Sequence, residues 1–159
     1  MSTETTAVNL RSMIGMPARS FVLHREPMLF LDRLVDIDAE SATCEWCIGD
    51  DFQMLQPGTG VPSYAGIEYM AQCVAVHAGA RARSQGLTPP QGYLLGTRQY
   101  DCSVDWFEPG VTYQSSCREL VRDSQGMGSF ACCILLNGAS IAQANLAVLE
   151  IPQEKKPDE

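Results

Sequence analysis

The chain has 159 residues and a mass of 17.4 kDa, a length that suits one core and leaves no room for two ordinary domains. Hydrophobic residues make up 45% of it and charged residues 19%, which fills a core and excludes a low-complexity or disordered chain. Nineteen acidic against eleven basic residues give a formal charge of -8, and the only lysines, Lys155 and Lys156, stand near the C-terminal end, so the balance argues against a nucleic-acid groove.

The polar opening MSTETTAV is not a signal peptide, and no run reaches the roughly 18–20 apolar residues of a bilayer span. These features point to the cytoplasm, with neither membrane nor nucleic acid as partner. Residues 1–8 and 152–159 are read as flexible ends around a single domain of residues 9–151. After a short helix from Asn9 to Met13 and a break at Pro17, the run Met28-Leu29-Phe30-Leu31, stopped by Asp32-Arg33, reads as a first strand. A second spans residues 42–49. The stretch 50–62 carries Pro57, Gly58, Gly60 and Pro62 and is read as a loop.

Residues 63–83 form the strongest helical signal: there is no proline, and apolar residues recur almost all round the helix. A surface helix shows one apolar stripe, so this one is enclosed, as if wrapped by a sheet. A 159-residue monomer cannot fully enclose so apolar a helix, so a second chain is expected to cover part of it and the adjacent edge strand. Strands at 93–100, 111–121, 129–136 and 140–151 follow. They are separated by Glu108-Pro109-Gly110, Asp123-Ser124-Gln125-Gly126 and Asn137-Gly138, the last a tight-hairpin dipeptide. The order implies an α+β fold with one antiparallel sheet.

Seven cysteines without an export signal make a disulfide framework a poor reading, and most are taken as small core residues. Cys44-Glu45-Trp46-Cys47 has metal or redox spacing but no second half, and on a strand its sulfurs face opposite ways. Neither a metal nor a cofactor is called for.

A carboxylate within an apolar helix is costly unless paired. Glu68 stands out for that reason, with Gln72 one turn later on the same face. Glu68 also lies just after the Pro/Gly-rich loop, where backbone N–H groups and a ligand can meet. The plainer alternative is that it faces solvent or holds a loop. His77 is nine residues from Glu68, about 180° round the helix, so no dyad forms within the helix, and His77 with Arg81 reads as a polar outer face or part of an interface. His24 reads as an anchor or surface residue, because nothing in the sequence puts a carboxylate beside it. Ser63 reads as a helix cap.

The segment from Leu23-His24-Arg25-Glu26-Pro27 through Met28-Leu29-Phe30-Leu31-Asp32-Arg33 resembles the opening of bacterial 3-hydroxyacyl-ACP dehydratases of the FabZ type. Pro62 through Glu68-Tyr69-Met70-Ala71-Gln72 is similar to their central-helix motif, and Gly96-Thr97-Arg98-Gln99-Tyr100, Phe107-x-x-Gly110, Asn137-Gly138 and Ala142-x-Ala144-x-Leu146 match in order. Gly66 to Gln72 with Gly92-Tyr93-Leu94-Leu95-Gly96-Thr97-Arg98 looks closest to the ApeP-type dehydratase subunits of aryl polyene biosynthesis. The resemblance covers residues 20–150. It implies the hotdog fold, a long central helix wrapped by five or six antiparallel strands, paired into a dimer with sites across the interface.

In that family a loop His and a helix acid from different protomers dehydrate a 3-hydroxyacyl chain on acyl carrier protein, giving the trans-2-enoyl thioester. By resemblance the acid is Glu68, with Gln72 beside it. Substrate-binding positions fall on Gly58, Pro62, Ser63 and Tyr64, with the Ser63 and Tyr64 amides polarising the thioester carbonyl. The loop His does not map: Met54 takes its place, and a thioether accepts no proton at neutral pH. The resemblance therefore implies a second dehydratase-like subunit that supplies the His in a heterodimer, the alternative being a homodimer in which His24 would have to serve as base. Arg81, Arg83 and Arg98 are candidates for docking the acidic carrier. A hotdog thioesterase, with the carboxylate activating water or attacking the thioester, and a non-catalytic acyl-binding or scaffolding subunit are the alternatives.

Overall fold

A computed structural model describes residues 10–151; the ends read as flexible, residues 1–8 and 152–159, lie outside them, as does Asn9. In chain order the elements are β1 (Arg33–Ile37), β2 (Ser41–Cys47), β3 (Val61–Pro62), α1 (Gly66–Ser84), β4 (Gln91–Cys102), β5 (Trp106–Phe107), β6 (Thr112–Arg122), β7 (Met127–Leu136) and β8 (Ala139–Ile151). Six of the strands form one antiparallel sheet in the order β1-β2-β6-β7-β8-β4. β3 and β5 make a separate pair that ties the loop before α1 to the loop before β6.

The period-2 pattern explains which face each strand buries. Ala42, Cys44 and Trp46 on β2, Tyr113, Ser115 and Cys117 on β6, and Phe130, Cys132 and Ile134 on β7 are all buried, and α1 packs across this face. Among the described residues β4 pairs only with β8, and Tyr93, Leu94 and Leu95 on it are exposed. Asn137 and Gly138 both take positive φ, 51° and 82°, as a two-residue hairpin between β7 and β8 demands. Cys44 is buried and Cys47 exposed, and the cysteines are free thiols. This is the hotdog arrangement of one long helix against a six-stranded antiparallel sheet.

The aromatic centre fixes the helix to the sheet. Trp46 stacks on Tyr69 of α1 at 3.7 Å between ring centroids and on Tyr113 of β6 at 4.6 Å, with Phe107 edge-on at 5.3 Å. Its indole N–H donates to the Ser115 hydroxyl at 2.9 Å.

Three expectations are corrected. Residues 28–31 are not a strand; the first strand begins at Arg33. The Phe30 N–H donates to Gln72 Oε1 and the Met28 carbonyl accepts from Gln72 Nε2, each at 2.8 Å, so backbone groups that would enter a ladder bond the central helix instead. Ser63 does not cap α1: it sits in a 3-10 turn, residues Ser63–Ala65, and no side-chain cap bond forms at either helix start. His77 is not on an outer face but fully buried, because the turn between β1 and β2 closes over it and brings the Asp38 carbonyl to 3.1 Å from Nε2.

Burial depresses the His77 pKa below its ordinary value of 6.5; the Asp38 carbonyl opposes the shift, Arg81 adds to it, and Glu119 and the Asp38 carboxylate oppose it. The unfolded chain thus binds the extra proton more readily. The contribution of neutral His77 to stability is full above the unfolded value and is lost as pH falls through it toward the folded value. Denaturant unfolding at about pH 7.5 and about pH 5.5 is expected to show a smaller loss for His77→Gln than for the native chain.

Gly79 sets how closely α1 approaches the segment before β1. A Cβ there would overlap the carbonyl oxygen of Phe21. Gly79→Ala is therefore expected to cost about 1–3 kcal/mol, read as a lower denaturation midpoint, and to push the segment that leads into His24 off the helix.

Candidate active site

Glu68 stands in the first turn of α1 and Gln72 one turn further along, so the two side chains meet: Gln72 Nε2 donates to Glu68 Oε1 at 3.0 Å. Gln72 is buried and also accepts from the Phe30 N–H and donates to the Met28 carbonyl. One amide therefore staples the segment before β1 to the helix and orients the carboxylate. Gln72→Leu would leave the buried Phe30 N–H and the part-buried Met28 carbonyl without their side-chain partner. It is expected to cost at least about 1–3 kcal/mol, measurable by denaturant unfolding.

The staple brings His24 to the carboxylate. His24 Nε2 lies 3.9 Å from Glu68 Oε1, and both side chains are a little over one-third exposed, so a ligand can reach them. Arg25 holds the loop that carries His24, its guanidinium donating to the carbonyls of Val22 at 2.8 Å and His24 at 2.7 Å. The sequence reading of His24 as an anchor or surface residue is thus revised: a helix carboxylate does stand beside it, in the same chain. The signal that could have found it was Gln72, a buried amide one turn from Glu68 that needs partners from another segment.

Both groups open into a cleft of about 400 Å³, within the range of small-ligand sites. Its floor is the half-exposed stripe Ala71, Ala75 and Ala78 of α1; its walls are residues 21–24 and the start of β4. A carboxylate and an imidazole at one end of an apolar cleft can move a proton to and from a bound carbon acid.

The other expected positions fall elsewhere. Gly58, Pro62, Ser63 and Tyr64 do not line this cleft. Gly58 sits exposed at a turn with φ of 76°, Pro62 is in β3, and Tyr64 is exposed. The Ser63 amide is already donated to the Asp105 carbonyl at 3.0 Å, and its carbonyl accepts the Tyr100 hydroxyl at 2.6 Å, so within the chain Ser63 has no N–H free for a thioester. Met54 packs against the core, consistent with a structural rather than a chemical part. The three arginines are dispersed. Arg81 pairs with Glu119 at 3.3 Å, Arg83 is exposed at the C-terminal end of α1, and Arg98 lines a separate trough of about 890 Å³ with Gln143 and Asn145. Arg25 follows His24 in the chain and is exposed, its guanidinium on the His24 carbonyl.

Comparison with known proteins agrees with this architecture. The chain is similar over 87% of its length, and 93% of the other, to a chain of the dehydratase heterocomplex ApeI:P from Xenorhabdus doucetiae, at 23% identity and a TM-score of 0.80. It is similar over 75% of its length, and 78% of the other, to the E. coli PaaI protein of the phenylacetic acid degradation operon, at 12% identity and 0.57. A hypothetical thioesterase with coenzyme A from Streptococcus pneumoniae matches 77% of this chain and 88% of its own, at 6% identity and 0.59. No curated protein is significantly similar in sequence. No helix among the described residues is long and apolar enough to cross a membrane. The ApeP dehydratase model matches residues 16–157, nearly the whole domain with its helix, its sheet and the His24–Glu68 pair, and the chain therefore belongs to the ApeP-like dehydratase family.

Proposed function

We propose that the chain is a subunit of a 3-hydroxyacyl-[acyl-carrier-protein] dehydratase serving aryl polyene or fatty-acid-like biosynthesis, and that Glu68 and His24 of the same chain are its acid–base pair. The single observation that carries this reading is the 3.9 Å approach of His24 Nε2 to Glu68 Oε1 at the end of an apolar cleft. With C2 and C3 of the acyl chain lying alongside both groups, one of them removes the α-proton as the C2–C3 double bond forms. The other delivers a proton to the departing β-hydroxyl, which leaves as water. The thioester stays intact.

A second subunit belongs to this reading. β4 is a free edge strand with three exposed apolar residues, a template for pairing, and the structural relative from Xenorhabdus is a heterocomplex. The Ser63 amide is spent within the chain, so the donors that polarise the thioester carbonyl are assigned to other N–H groups, the partner's included. Arg25 replaces Arg81 as the first candidate for meeting the acidic carrier. Met54 at the family's loop-His position favours a second reading, in which the partner supplies the base. The two differ in what His24→Ala does.

The test is mass-spectrometric conversion of a 3-hydroxyacyl-ACP by the chain alone and mixed with its dehydratase-like partner. Loss of water with retention of the thioester supports the proposal, whereas release of free thiol moves the chain to the thioesterases. Unchanged turnover with Glu68→Gln would leave only a binding or scaffolding part.

A further inference from the structure

α1 begins without a side-chain cap, and so does the 3-10 turn that leads into it, so other groups hold the point from which the helix sets out. One is the Asp105 carbonyl, which accepts the Ser63 N–H at 3.0 Å. The other is Tyr100 of β4, whose hydroxyl donates at 2.6 Å to the Ser63 carbonyl, the same oxygen that accepts from the Gly66 N–H. Gly66 is the first residue of α1 and lies against that hydroxyl; a Cβ there would overlap it.

The backbone of β4 is built to aim Tyr100 inward. From Thr97 to Tyr100 the strand advances three residues while β8 advances two, from Leu146 to Ala144. The extra residue makes a bulge, a device that re-aims a side chain. It sets Tyr100, rather than Gln99, opposite the buried Ala144, and leaves Gln99 exposed with its amide on Asp101. Burial first and the neighbouring Cys102 second raise the Tyr100 pKa above its ordinary value of 10, so the hydroxyl keeps its proton and stays a donor through the neutral range.

We infer that Tyr100 is a positioning residue for Glu68: its hydroxyl fixes the first turn of α1 and so the backbone that carries the carboxylate, two residues beyond Gly66. Gln72 orients the tip of the Glu68 side chain, and Tyr100 sets its root. Tyr100 does not line the cleft, so it acts through Glu68. The inference rests on the dehydratase reading, in which Glu68 moves a proton.

Tyr100→Phe removes the hydroxyl and keeps the ring. With the full-length chain, its partner subunit and a 3-hydroxyacyl-ACP, kcat is expected to fall about tenfold while KM stays within about twofold, because a displaced proton-transfer group slows the chemical step. On the Glu68→Gln background the same change is expected to cost less than about twofold, since the group it positions is gone. In the complex, with this chain alone carrying isotope-labelled histidine, the NMR signals of the His24 ring are expected to move in Tyr100→Phe as they do in Glu68→Gln. An unchanged kcat overturns the inference; so do unmoved His24 signals, and so does an equal loss on the Glu68→Gln background, which marks damage to the fold rather than to one group's position. If Tyr100→Phe does not fold by thermal melt, Gly66→Ala, whose Cβ displaces the hydroxyl, takes its place with the same expected pattern. If the native complex does not dehydrate the substrate, the dehydratase reading fails, while movement of the His24 signals still upholds the placing of Glu68 by Tyr100 and its absence still overturns it.

Discussion

Replacing His24 with alanine, or Glu68 with glutamine, is expected to lower the proposed dehydration rate by about 10²–10⁴-fold, the usual contribution of a positioned acid or base. The two changes test different links. Glu68→Gln retains an oxygen that accepts from Gln72 Nε2, the bond that now runs 3.0 Å to Oε1, so the helix geometry survives while the titratable group is lost. His24→Ala removes the imidazole from a loop that Arg25 holds through the Val22 and His24 carbonyls, contacts a backbone change does not require. The double variant should be scarcely slower than the worse single one, because groups that act in one proton transfer are not additive. Steady-state kinetics of the complex, with a melt of each variant, reads the outcome. Full activity of His24→Ala alongside dead Glu68→Gln would assign the base to the partner subunit.

Trp46→Ala is the substitution with the largest expected effect on stability. The indole fills the space between Tyr69 of the helix and Tyr113 of β6 and touches Phe107 edge-on, so removing it leaves a cavity that three rings must collapse into. The Ser115 hydroxyl, buried and bonded to the indole N–H, loses its partner as well. The expected cost is about 3–5 kcal/mol, and for a chain of this size the melting temperature falls by roughly 6–20 °C. Calorimetry measures it. Trp46→Phe, which keeps a ring and loses the N–H, should fall between, and a loss below about 1 kcal/mol for the alanine variant would mean that the stack does not hold the helix to the sheet.

The strands of the second half were readable because each has a period-2 pattern ended by its own turn residues: β6 to β8 fall within two residues of their expected limits, and Asn137-Gly138 makes the hairpin that its positive φ values allow. The enclosed helix was readable from the same local information, since a rod apolar all round must be covered. The run from Met28 to Leu31 misled because hydrophobicity reports burial, not the partner of the backbone. The backbone of that segment is hydrogen-bonded by a side-chain amide from residue 72 rather than by a neighbouring strand, and only Phe30 and Leu31 of the run are buried.

By itself the sequence determined the α+β class, the order of the elements, the place of Glu68 and Gln72 on one helix face, and the absence of a histidine from the loop before the helix. Periodicity and turn chemistry act within a few residues, so these features need no fold to be seen. Only the tertiary structure decided that His24 stands beside Glu68, that Ser63 spends its amide on Asp105, that His77 is buried under the β1–β2 turn, and that Arg81 is held by Glu119. Each of those is a contact between residues about 40 positions apart, closed by a particular hydrogen bond or ion pair. The free energy that selects such contacts comes from the packed whole rather than from either segment alone.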